Sequence, residues 1–397
     1  MKRIIAVVIA AALLLCSCAK DNKNPDNISP DTPSTHRTES DDYINAVWLS
    51  FFEISALCKD TTEKEFREKI INLAANLLSL KINRIIVHAV AFCDAFYESD
   101  FLPKSRYIKA SEDFDVFGII CEICSKAGIE TDAWINPYRV SSVNDLSVTD
   151  DNKAVKKLYS QDKNSILICE NGIYLNPAST NVQNLILSQA RELMTKYPVN
   201  AIHIDDYFYP EMSNIPDKGS YDSYVKSNGN LSINDWRREN INTLVSSLHL
   251  LTNSFGKKLA VSPAADIKKN YELKYADISL WLDNGWVDEI IPQIYFGFEN
   301  ENAPFEKVLK NWINETKGKS AKLIIGLAFY KCGKPDLNAG SGKNEWKENS
   351  DIIERQISLI KKKSTIYGVA FFSYSHIFGK NIEKNAKKEL QNIKSML

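Results

Sequence analysis

The chain has 397 residues, of which 44% are hydrophobic and 25% are charged, and its formal net charge at pH 7 is -1. This is an ordinary globular composition, and a chain of this length can bury a sizeable core. The near-neutral charge provides no attraction for a polyanion, which argues against a nucleic-acid partner.

The N-terminus has the pattern of an export signal. Lys2 and Arg3 precede twelve apolar residues at positions 4–15, a run that is too short to span a bilayer as a helix. Residues 15–18, Leu-Cys-Ser-Cys, resemble a bacterial lipobox, so residues 1–18 are predicted to be a lipoprotein signal peptide with lipid on Cys18. A plain secretory signal that ends near Ala19 is the alternative. The lipoprotein interpretation predicts anchoring in the bacterial cell envelope, on the periplasmic side or the outer surface.

The next segment, residues 19–42, is rich in Asp, Asn, Pro, Ser and Thr and contains almost no apolar side chains. Such a segment cannot bury enough surface to fold, so it is predicted to be a flexible tether. The folded domain is predicted to cover residues 43–397.

Six cysteines follow Cys18, an even number that is compatible with disulfides but does not require them. Cys121 and Cys124 have the spacing of a metal-binding or redox pair, yet they lie in a helical pattern with no second Cys or His pair nearby. Buried thiols are therefore the favoured interpretation, and neither a metal nor a cofactor is predicted.

Short β-branched or aromatic runs alternate with helical periodicity along the domain, which predicts a parallel sheet with crossover helices. The eight runs cover residues 46–50, 82–89, 129–137, 200–206, 258–264, 287–296, 321–329 and 368–375. The helical segments cover residues 63–80, 113–127, 181–197, 235–253, 303–316, 352–363 and 380–396. Eight units predict an α/β fold, a single (β/α)8 TIM barrel. Long loops are predicted after strands 3, 4 and 7, at residues 138–198, 208–234 and 331–350, on the face where barrel enzymes keep their sites.

The fourth run carries a pair of aspartates at its end. Strand alternation places Ile202 and Ile204 on one face and His203 and Asp205 on the other, with Asp205 at the mouth of the barrel. Asp206 then begins the loop. The alternative is that the two aspartates only end the strand and cap a turn.

The same alternation, applied to the other strands, predicts a set of side chains that face the mouth. These are Trp48, Ser50, His88, Asp132, Trp134, Asn136, Ser262, Gln293 and Tyr295. A rim of Asp, Asn, Gln, Trp and Tyr suits a sugar, because aromatic rings stack on C–H faces and hydroxyls need fixed donors and acceptors. Ordinary packing is the alternative for any single aromatic residue.

Five motifs stand in order along the predicted domain: Ala46-Val-Trp-Leu-Ser50, Ala133-Trp-Ile-Asn-Pro-Tyr-Arg-Val140, Tyr174-Leu-Asn-Pro177, Ile202-His-Ile-Asp-Asp-Tyr-Phe-Tyr-Pro210 and Pro292-Gln-Ile-Tyr295. Together they resemble the motifs of the glycosyl-hydrolase-like 10 family of bacterial envelope and secreted proteins. The resemblance runs from about residue 44 to residue 375 and implies a (β/α)8 glycosidase of carbohydrate metabolism. After strand 2, where the family usually has Gln-Val-Arg-Pro, the chain has His88-Ala-Val-Ala91, so a mouth arginine is missing there.

Glycoside hydrolysis usually needs two carboxyl groups. Asp205 is predicted to be the general acid or the nucleophile, with its pKa tuned by His203. Neighbouring strand residues point apart, so Asp206 is expected to orient the substrate or the loop, and a partner is expected from another strand: Asp94, Asp132 or Asp266. Asp132 is alternatively buried and paired for structure.

The predicted catalytic set is thus Asp205, Asp206 and Asp132. The predicted substrate-binding residues are Trp48, His88, Asp94, Trp134, Asn136, Arg139, His203, Tyr207, Gln293 and Tyr295. The predicted function is that of a membrane-tethered, monomeric hydrolase of a polysaccharide or a peptidoglycan glycan strand. One alternative is a glycan-binding lipoprotein that has lost catalysis, and another is an envelope scaffold whose loops block the barrel mouth.

Overall fold

A closed barrel of parallel strands organises the molecule. The computed structural model describes residues 43–397, so the predicted signal peptide, the tether and the lipidation of Cys18 lie outside the described residues. The strands are β1 Ile44–Leu49, β2 Arg84–Val90, β3 Glu130–Ile135, β4 Arg139–Ser141, β5 Ile166–Cys169, β6 Gly172–Leu175, β7 Ala201–Ile204, β8 Lys258–Val261, β9 Glu289–Ile290, β10 Lys322–Leu327 and β11 Ile366–Phe371. Eight of them close the barrel in the order β1, β11, β10, β9, β8, β7, β3, β2, which confirms the predicted fold.

Helices cover the barrel, and several of them begin at side-chain caps. Thr62 and Glu65 form a capping box, while Asp115 and Asp266 each accept a hydrogen bond from the amide three residues on. The helices of the described residues are α1 Phe51–Cys58, α2 Glu63–Ser79, α3 Val116–Lys126, α4 Lys153–Gln161, α5 Thr180–Lys196, α6 Lys218–Lys226, α7 Ile233–Ser254, α8 Ile267–Leu273, α9 Ile278–Asp283, α10 Phe305–Glu315, α11 Glu345–Glu348, α12 Ile352–Lys361, α13 Tyr374–Phe378 and α14 Lys384–Ile393.

The sixth barrel strand differs most from its prediction. A strand is predicted over residues 287–296, but β9 spans only Glu289–Ile290. Pro292 has no amide hydrogen and interrupts the ladder. Gln293 nevertheless bridges to Ala264 and to Gly326 on either side, so the barrel wall continues to the mouth at this point.

The three long loops carry structure of their own. After β3 comes a small antiparallel sheet in the order β4, β6, β5, with α4 inserted between β4 and β5. The loop after β7 contains α6, and the loop after β10 contains α11. The small sheet continues the chain of β3 at the carboxyl ends of the strands, where it borders the barrel mouth.

The barrel interior is filled by alternate strand residues. The register pairs His88 with Trp134 and Trp134 with His203, so these three side chains share the inner face. An apolar cluster fills much of the interior and consists of Ile44, Ala46, Trp48, Ile86, Trp134, Ile291, Ile324 and Ala370. A charged cluster around Arg84 lies at the amino-terminal ends of the strands, where Arg84 Nη2 is 2.5 Å from Glu130 and Nη1 contacts Glu289.

The outer faces of the strands pack on the helices in one hydrophobic core that includes the thiols. Cys58, Cys93, Cys121, Cys124, Cys169 and Cys332 are all free and buried, which confirms the prediction of buried thiols for Cys121 and Cys124. Within residues 43–397, no helix combines the length and apolar character needed to cross a membrane.

Candidate active site

A cavity of about 590 Å³ lies at the carboxyl ends of the barrel strands. Its volume falls within the usual range of small-ligand sites. Twelve residues predicted from the sequence line it: Trp48, Ser50, His88, Trp134, Asn136, Arg139, Asp205, Asp206, Tyr207, Ser262, Gln293 and Tyr295. The loops around the mouth therefore leave room for a ligand, which removes the main reason for the scaffold alternative.

Asp205 follows the last residue of β7 and lines the cavity, although only 2% of the residue is exposed. Trp134 Nε1 donates to its Oδ2 at 3.0 Å, and the amide of Tyr207 donates to its Oδ1 at 3.2 Å. Burial, followed by the charge of Asp206, raises the pKa of Asp205 to about 7. A carboxyl group that keeps its proton close to neutral pH can donate that proton to a departing oxygen.

Asp206 is the second carboxylate beside the cavity and is held by two side-chain donors. Lys274 Nζ lies 3.1 Å from its Oδ2, and Gln293 Nε2 donates to its Oδ1 at 3.1 Å. Burial disfavours the charge of Lys274, but the carboxylates of Asp206 and Glu211 outweigh it and raise the pKa of Lys274. A lasting positive charge therefore fixes Asp206 next to Asp205.

The two aspartates face the same cavity, although neighbouring residues of a strand point apart. The reason is that β7 ends at Ile204, so strand alternation does not apply to Asp205 and Asp206. The strand predicted from the sequence continues to residue 206, two residues beyond the observed end of β7.

Glu53 also lines the cavity and was missed by the sequence reasoning. Its Oε2 accepts hydrogen bonds from the amide and hydroxyl of Ser50 at 2.7 and 2.8 Å, and its Oε1 accepts from the Ser373 hydroxyl at 2.7 Å and the Ser375 amide at 2.6 Å. Four donors occupy the roughly four acceptor positions of a carboxylate. Glu53 thus ties the end of β1 to the segment after β11, and the capping-box spacing from Ser50 was the signal for it.

The carboxylates predicted as partners from other strands lie elsewhere. Asp132 is fully buried, accepts from Asn200 Nδ2 at 3.0 Å and belongs to the charged cluster at the far end of the barrel. Asp94 accepts from the Ser105 hydroxyl at 2.9 Å, and Asp266 caps α8. The predicted catalytic role of Asp132 and the predicted substrate contact of Asp94 are corrected accordingly, because protein donors engage both carboxylates away from the cavity wall.

Among the described residues, the carboxylates that line the cavity are therefore Asp205, Asp206 and the saturated Glu53. Because the acceptor positions of Glu53 are occupied, Asp206 is the candidate for the second carboxylate beside Asp205. No three His, Cys, Asp or Glu side chains of residues 43–397 cluster as metal ligands do.

His203 lies beneath the cavity wall. Its Nε2 is 2.8 Å from the Ser262 hydroxyl and 3.5 Å from Trp48 Nε1. Burial lowers the pKa of His203 to about 3, so the ring is neutral at physiological pH. The predicted contact of His203 with substrate, and its predicted tuning of Asp205, are corrected: burial and Asp206 shift the pKa of Asp205, and His203 positions Ser262 and Trp48.

His88 lines the cavity and stacks on Trp134, with ring centroids 3.3 Å apart. Its Nδ1 accepts a hydrogen bond from the Phe51 amide at 3.1 Å. Burial lowers the pKa of His88 well below its usual value. A neutral ring whose Nδ1 accepts must carry its proton on Nε2. The stack therefore holds Trp134, and with it the indole donor to Asp205, in a fixed orientation.

Arg139 supplies a guanidinium to the wall at the edge where the family arginine after strand 2 is missing. Its Cζ lies 4.7 Å from the centre of the Phe92 ring and 4.8 Å from that of Tyr207, so the cation is held between two aromatic faces. Further lining residues that the sequence reasoning missed are Phe51, Phe52, Phe92, Tyr107, Phe372 and His376. They come from segments beyond strand ends, and the Phe51-Phe52 pair directly after β1 was their clearest signal.

Known proteins with similar sequences are described as glycosyl hydrolases or as glycosyl hydrolase-like. The model of the family described as glycosyl hydrolase-like 10 matches residues 43–344. The chain is 28% identical over 380 residues to glycosyl hydrolase YngK of Bacillus subtilis (strain 168), covering 89% of this chain and 71% of that protein. It is 27% identical over 414 aligned residues to glycosyl hydrolase DigH of Escherichia coli (strain K12), covering 94% of this chain and 92% of that one.

Solved structures agree on the fold. The glycoside hydrolase domain of PgaB (BpsB) from Bordetella bronchiseptica superposes with a TM-score of 0.59 at 11% identity, covering 88% of this chain and 98% of that chain. An alpha-L-fucosidase, isoenzyme 2 from Paenibacillus thiaminolyticus, gives a TM-score of 0.57 at 12% identity, covering 89% of this chain and 49% of that chain. At such identities the likeness concerns the barrel architecture alone.

Proposed function

This chain belongs to the glycosyl hydrolase-like 10 family, and we propose that it hydrolyses O-glycosidic bonds within a polysaccharide or a peptidoglycan glycan strand. The observation that carries the proposal is the pair Asp205 and Asp206 in the wall of an aromatic cavity, one holding its proton to about neutral pH and the other fixed by Lys274. A proton donor and a second carboxylate are the groups that glycoside hydrolysis requires.

In the proposed mechanism, Asp205 donates its proton to the glycosidic oxygen while the bond from that oxygen to the anomeric carbon breaks. The transition state carries positive charge on the sugar ring. The Asp206 carboxylate faces that charge and stabilises it in a site shielded from bulk water. A water molecule then forms the new bond to the anomeric carbon through its oxygen, and the proton that this water loses returns to the Asp205 carboxylate, which restores the acid. The cavity rings of Trp48 and Tyr295 offer apolar faces to the sugar, and Asn136 offers polar contacts for its hydroxyls.

The proposed setting is the bacterial cell envelope, with the mature protein held by lipid on Cys18. Support comes from the export pattern of residues 1–18 and the polar composition of residues 19–42. Cys18→Ala tests it: the wild type is expected in the membrane fraction, and the variant is expected to lose incorporated fatty acid and leave that fraction. A wild-type protein that carries no fatty acid would end this part of the proposal.

Activity is tested on purified peptide-free peptidoglycan strands and on a panel of soluble polysaccharides, by measuring the reducing ends released. Wild-type release that is lost in Asp205→Asn supports the proposed function. Because the active form of Asp205 is protonated, kcat/KM is expected to fall as the pH rises through about 7. Binding of these glycans by the wild type without any new reducing ends would favour the glycan-binding alternative.

A further inference from the structure

A second, smaller cavity adjoins the first. It has a volume of about 210 Å³ and shares Asp206 and Tyr207 with the larger cavity. Its other walls include Asn171, Tyr174 and Lys274. One carboxylate of the proposed catalytic pair therefore stands at the junction of two spaces rather than at the end of one.

The inserted sheet after β3 connects these two spaces. Arg139 in β4 and Tyr174 in β6 are register partners, yet Arg139 lines the larger cavity and Tyr174 the smaller. Asn171, in the turn between β5 and β6, extends the same wall outward. The barrel closes without this sheet, so its placement beside Asp206 calls for a role at the site.

The groups at the junction suit a sugar ring. Tyr207 is 41% exposed and lies in both walls, with Arg139 stacked 4.8 Å from its ring centre. An aromatic face that is held in place and open to solvent is a stacking surface for a pyranose. Lys274 and Glu211 form an ion pair in the smaller cavity, where they present a donor and an acceptor for hydroxyl groups.

We propose that the smaller cavity is a subsite for the sugar on the other side of the scissile bond from the one in the larger cavity. The glycan chain then passes Asp206 and Tyr207 with sugar units bound on both sides, and the enzyme cuts inside the chain instead of removing terminal units. This inference rests on the proposed function for its chemistry, but the binding it describes is measured separately.

Binding is measured by calorimetry with Asp205→Asn, which keeps the chain intact, and a ladder of oligosaccharides prepared from peptide-free peptidoglycan strands. Affinity is expected to rise once the ladder is long enough to reach the smaller cavity. Tyr174→Ala in the same background is expected to remove a gain of roughly tenfold, the factor that corresponds to about 1.4 kcal/mol of binding free energy. Asn171→Trp, at an exposed turn that tolerates the added ring, is expected to block the cavity and remove the same gain.

Tyr159→Ala is the matched control, because Tyr159 lies on α4 of the same insertion and packs against the hydrophobic core. It is expected to keep the dependence of affinity on length. Equal losses in the control and in Tyr174→Ala would mean that the insertion acts only through stability, which would overturn the subsite. A length dependence that neither Tyr174→Ala nor Asn171→Trp changes would overturn it as well.

The products give a second measurement with the otherwise wild-type enzyme. Cutting inside the chain predicts a rapid fall in mean strand length before small sugars accumulate, and a slower fall relative to total bonds cut in Asn171→Trp. Release of terminal units from the start would refute internal cutting while leaving hydrolysis itself intact. Absence of hydrolysis would refute the proposed function, and the calorimetric series would still decide whether the smaller cavity binds sugar.

Discussion

Each end of the barrel buries a carboxyl group whose pKa is raised, but the charged neighbours of the two groups differ. At the amino-terminal end, burial raises the pKa of Asp132 to about 6 even though Arg84 opposes the shift. At the mouth, burial and a like charge act together and raise the pKa of Asp205 to about 7. The first group is enclosed in a compensated cluster, whereas the second lines a cavity.

The difference shows that a shifted pKa does not by itself identify a site. Arg84 compensates the buried carboxylates of Asp132 and Glu289 away from the cavity, which makes its cluster a structural element whose parts fail together. At the mouth the cation Lys274 pairs with Asp206 and lowers the pKa of Asp205 less than burial and the charge of Asp206 raise it, so the proton of Asp205 stays available. The following variants separate the two ends, starting with the largest expected effect.

Asp205→Asn and Asp132→Asn form the first comparison, since each replaces one buried carboxyl group and keeps the side-chain shape. Turnover of glycan is expected to fall on the order of a thousandfold in Asp205→Asn, because the proton donor is gone. Asp132→Asn is expected to keep most of the turnover. Reducing-end assays at a fixed pH, with circular dichroism to verify folding, measure both. If Asp132→Asn folds and is as inactive as Asp205→Asn, the proposal that the mouth of the barrel is the catalytic end is contradicted.

The second comparison concerns stability. Arg84→Met leaves Asp132 and Glu289 buried without their guanidinium, and the free energy of unfolding is expected to fall by about 3 to 5 kcal/mol. Arg67→Met is the matched control, because Arg67 also joins two carboxylates, Glu63 and Glu122, but at the surface. Its loss is expected to stay below about 1 kcal/mol.

Urea titrations measure both arginine variants. The penalty of Arg84→Met is expected to shrink as the pH falls, because the carboxyl groups left without a cation can then take up protons. Similar losses in Arg84→Met and Arg67→Met at neutral pH would show that the buried cluster contributes no more than a surface ion pair.

The third prediction concerns how the ionisation of Asp205 changes the free energy of unfolding with pH. The pKa of Asp205 in the folded protein, about 7, lies above the value of about 3.9 expected for an unfolded chain. The folded state therefore keeps a proton that the unfolded state releases, and the stability that this proton provides is lost as the pH rises toward 7. Asp205→Asn avoids this loss and is expected to be more stable than the wild type by about 4 kcal/mol above pH 7.

Parallel unfolding curves of wild type and Asp205→Asn across this pH range test the sign. The two curves are expected to approach each other at acidic pH and to separate toward neutral pH. A variant that becomes relatively less stable as the pH rises would show that the Asp205 carboxylate is stabilised, not destabilised, in the folded protein.

Much of the difference between the two ends of the barrel could be predicted from the sequence. Alternation along β-branched runs correctly placed His88, Trp134, Gln293 and Tyr295 on the inner face and at the mouth. It could not rank residues by depth, because the period of two gives a face and not a height along the strand. Asp132 obeys the rule and still lies at the opposite end of the barrel from the cavity.

The remaining errors arise where strands end. Asp206 turns into the cavity because β7 stops at Ile204, and Phe92 and Tyr107 reach the wall from a loop whose shape depends on distant partners, such as the Ala95 amide bonded to the carbonyl of Pro103. Local propensity contains no information on such contacts. The fold and the inward faces of the strands were therefore predictable from the sequence. The placement of Asp206 in the same cavity wall as Asp205, and about half of the other lining residues, were not.

The smallest expected effect concerns the hydrogen bond between the indole of Trp134 and the carboxyl group of Asp205 at the mouth. Trp134 Nε1 donates to Asp205 Oδ2 and lowers its pKa against the effect of burial. Trp134→Phe keeps a ring to stack on His88 but removes the donor. The alkaline limb of kcat/KM is expected to move to higher pH by less than about one unit, equivalent to less than about 1.4 kcal/mol.

Trp48→Phe is the control, since the indole of Trp48 donates to His203 and not to Asp205. The alkaline limb of this variant should stay in place whatever happens to kcat. Equal movement in both variants would mean that the limb reports general loosening of the barrel interior, whereas movement in Trp134→Phe alone assigns the limb to Asp205.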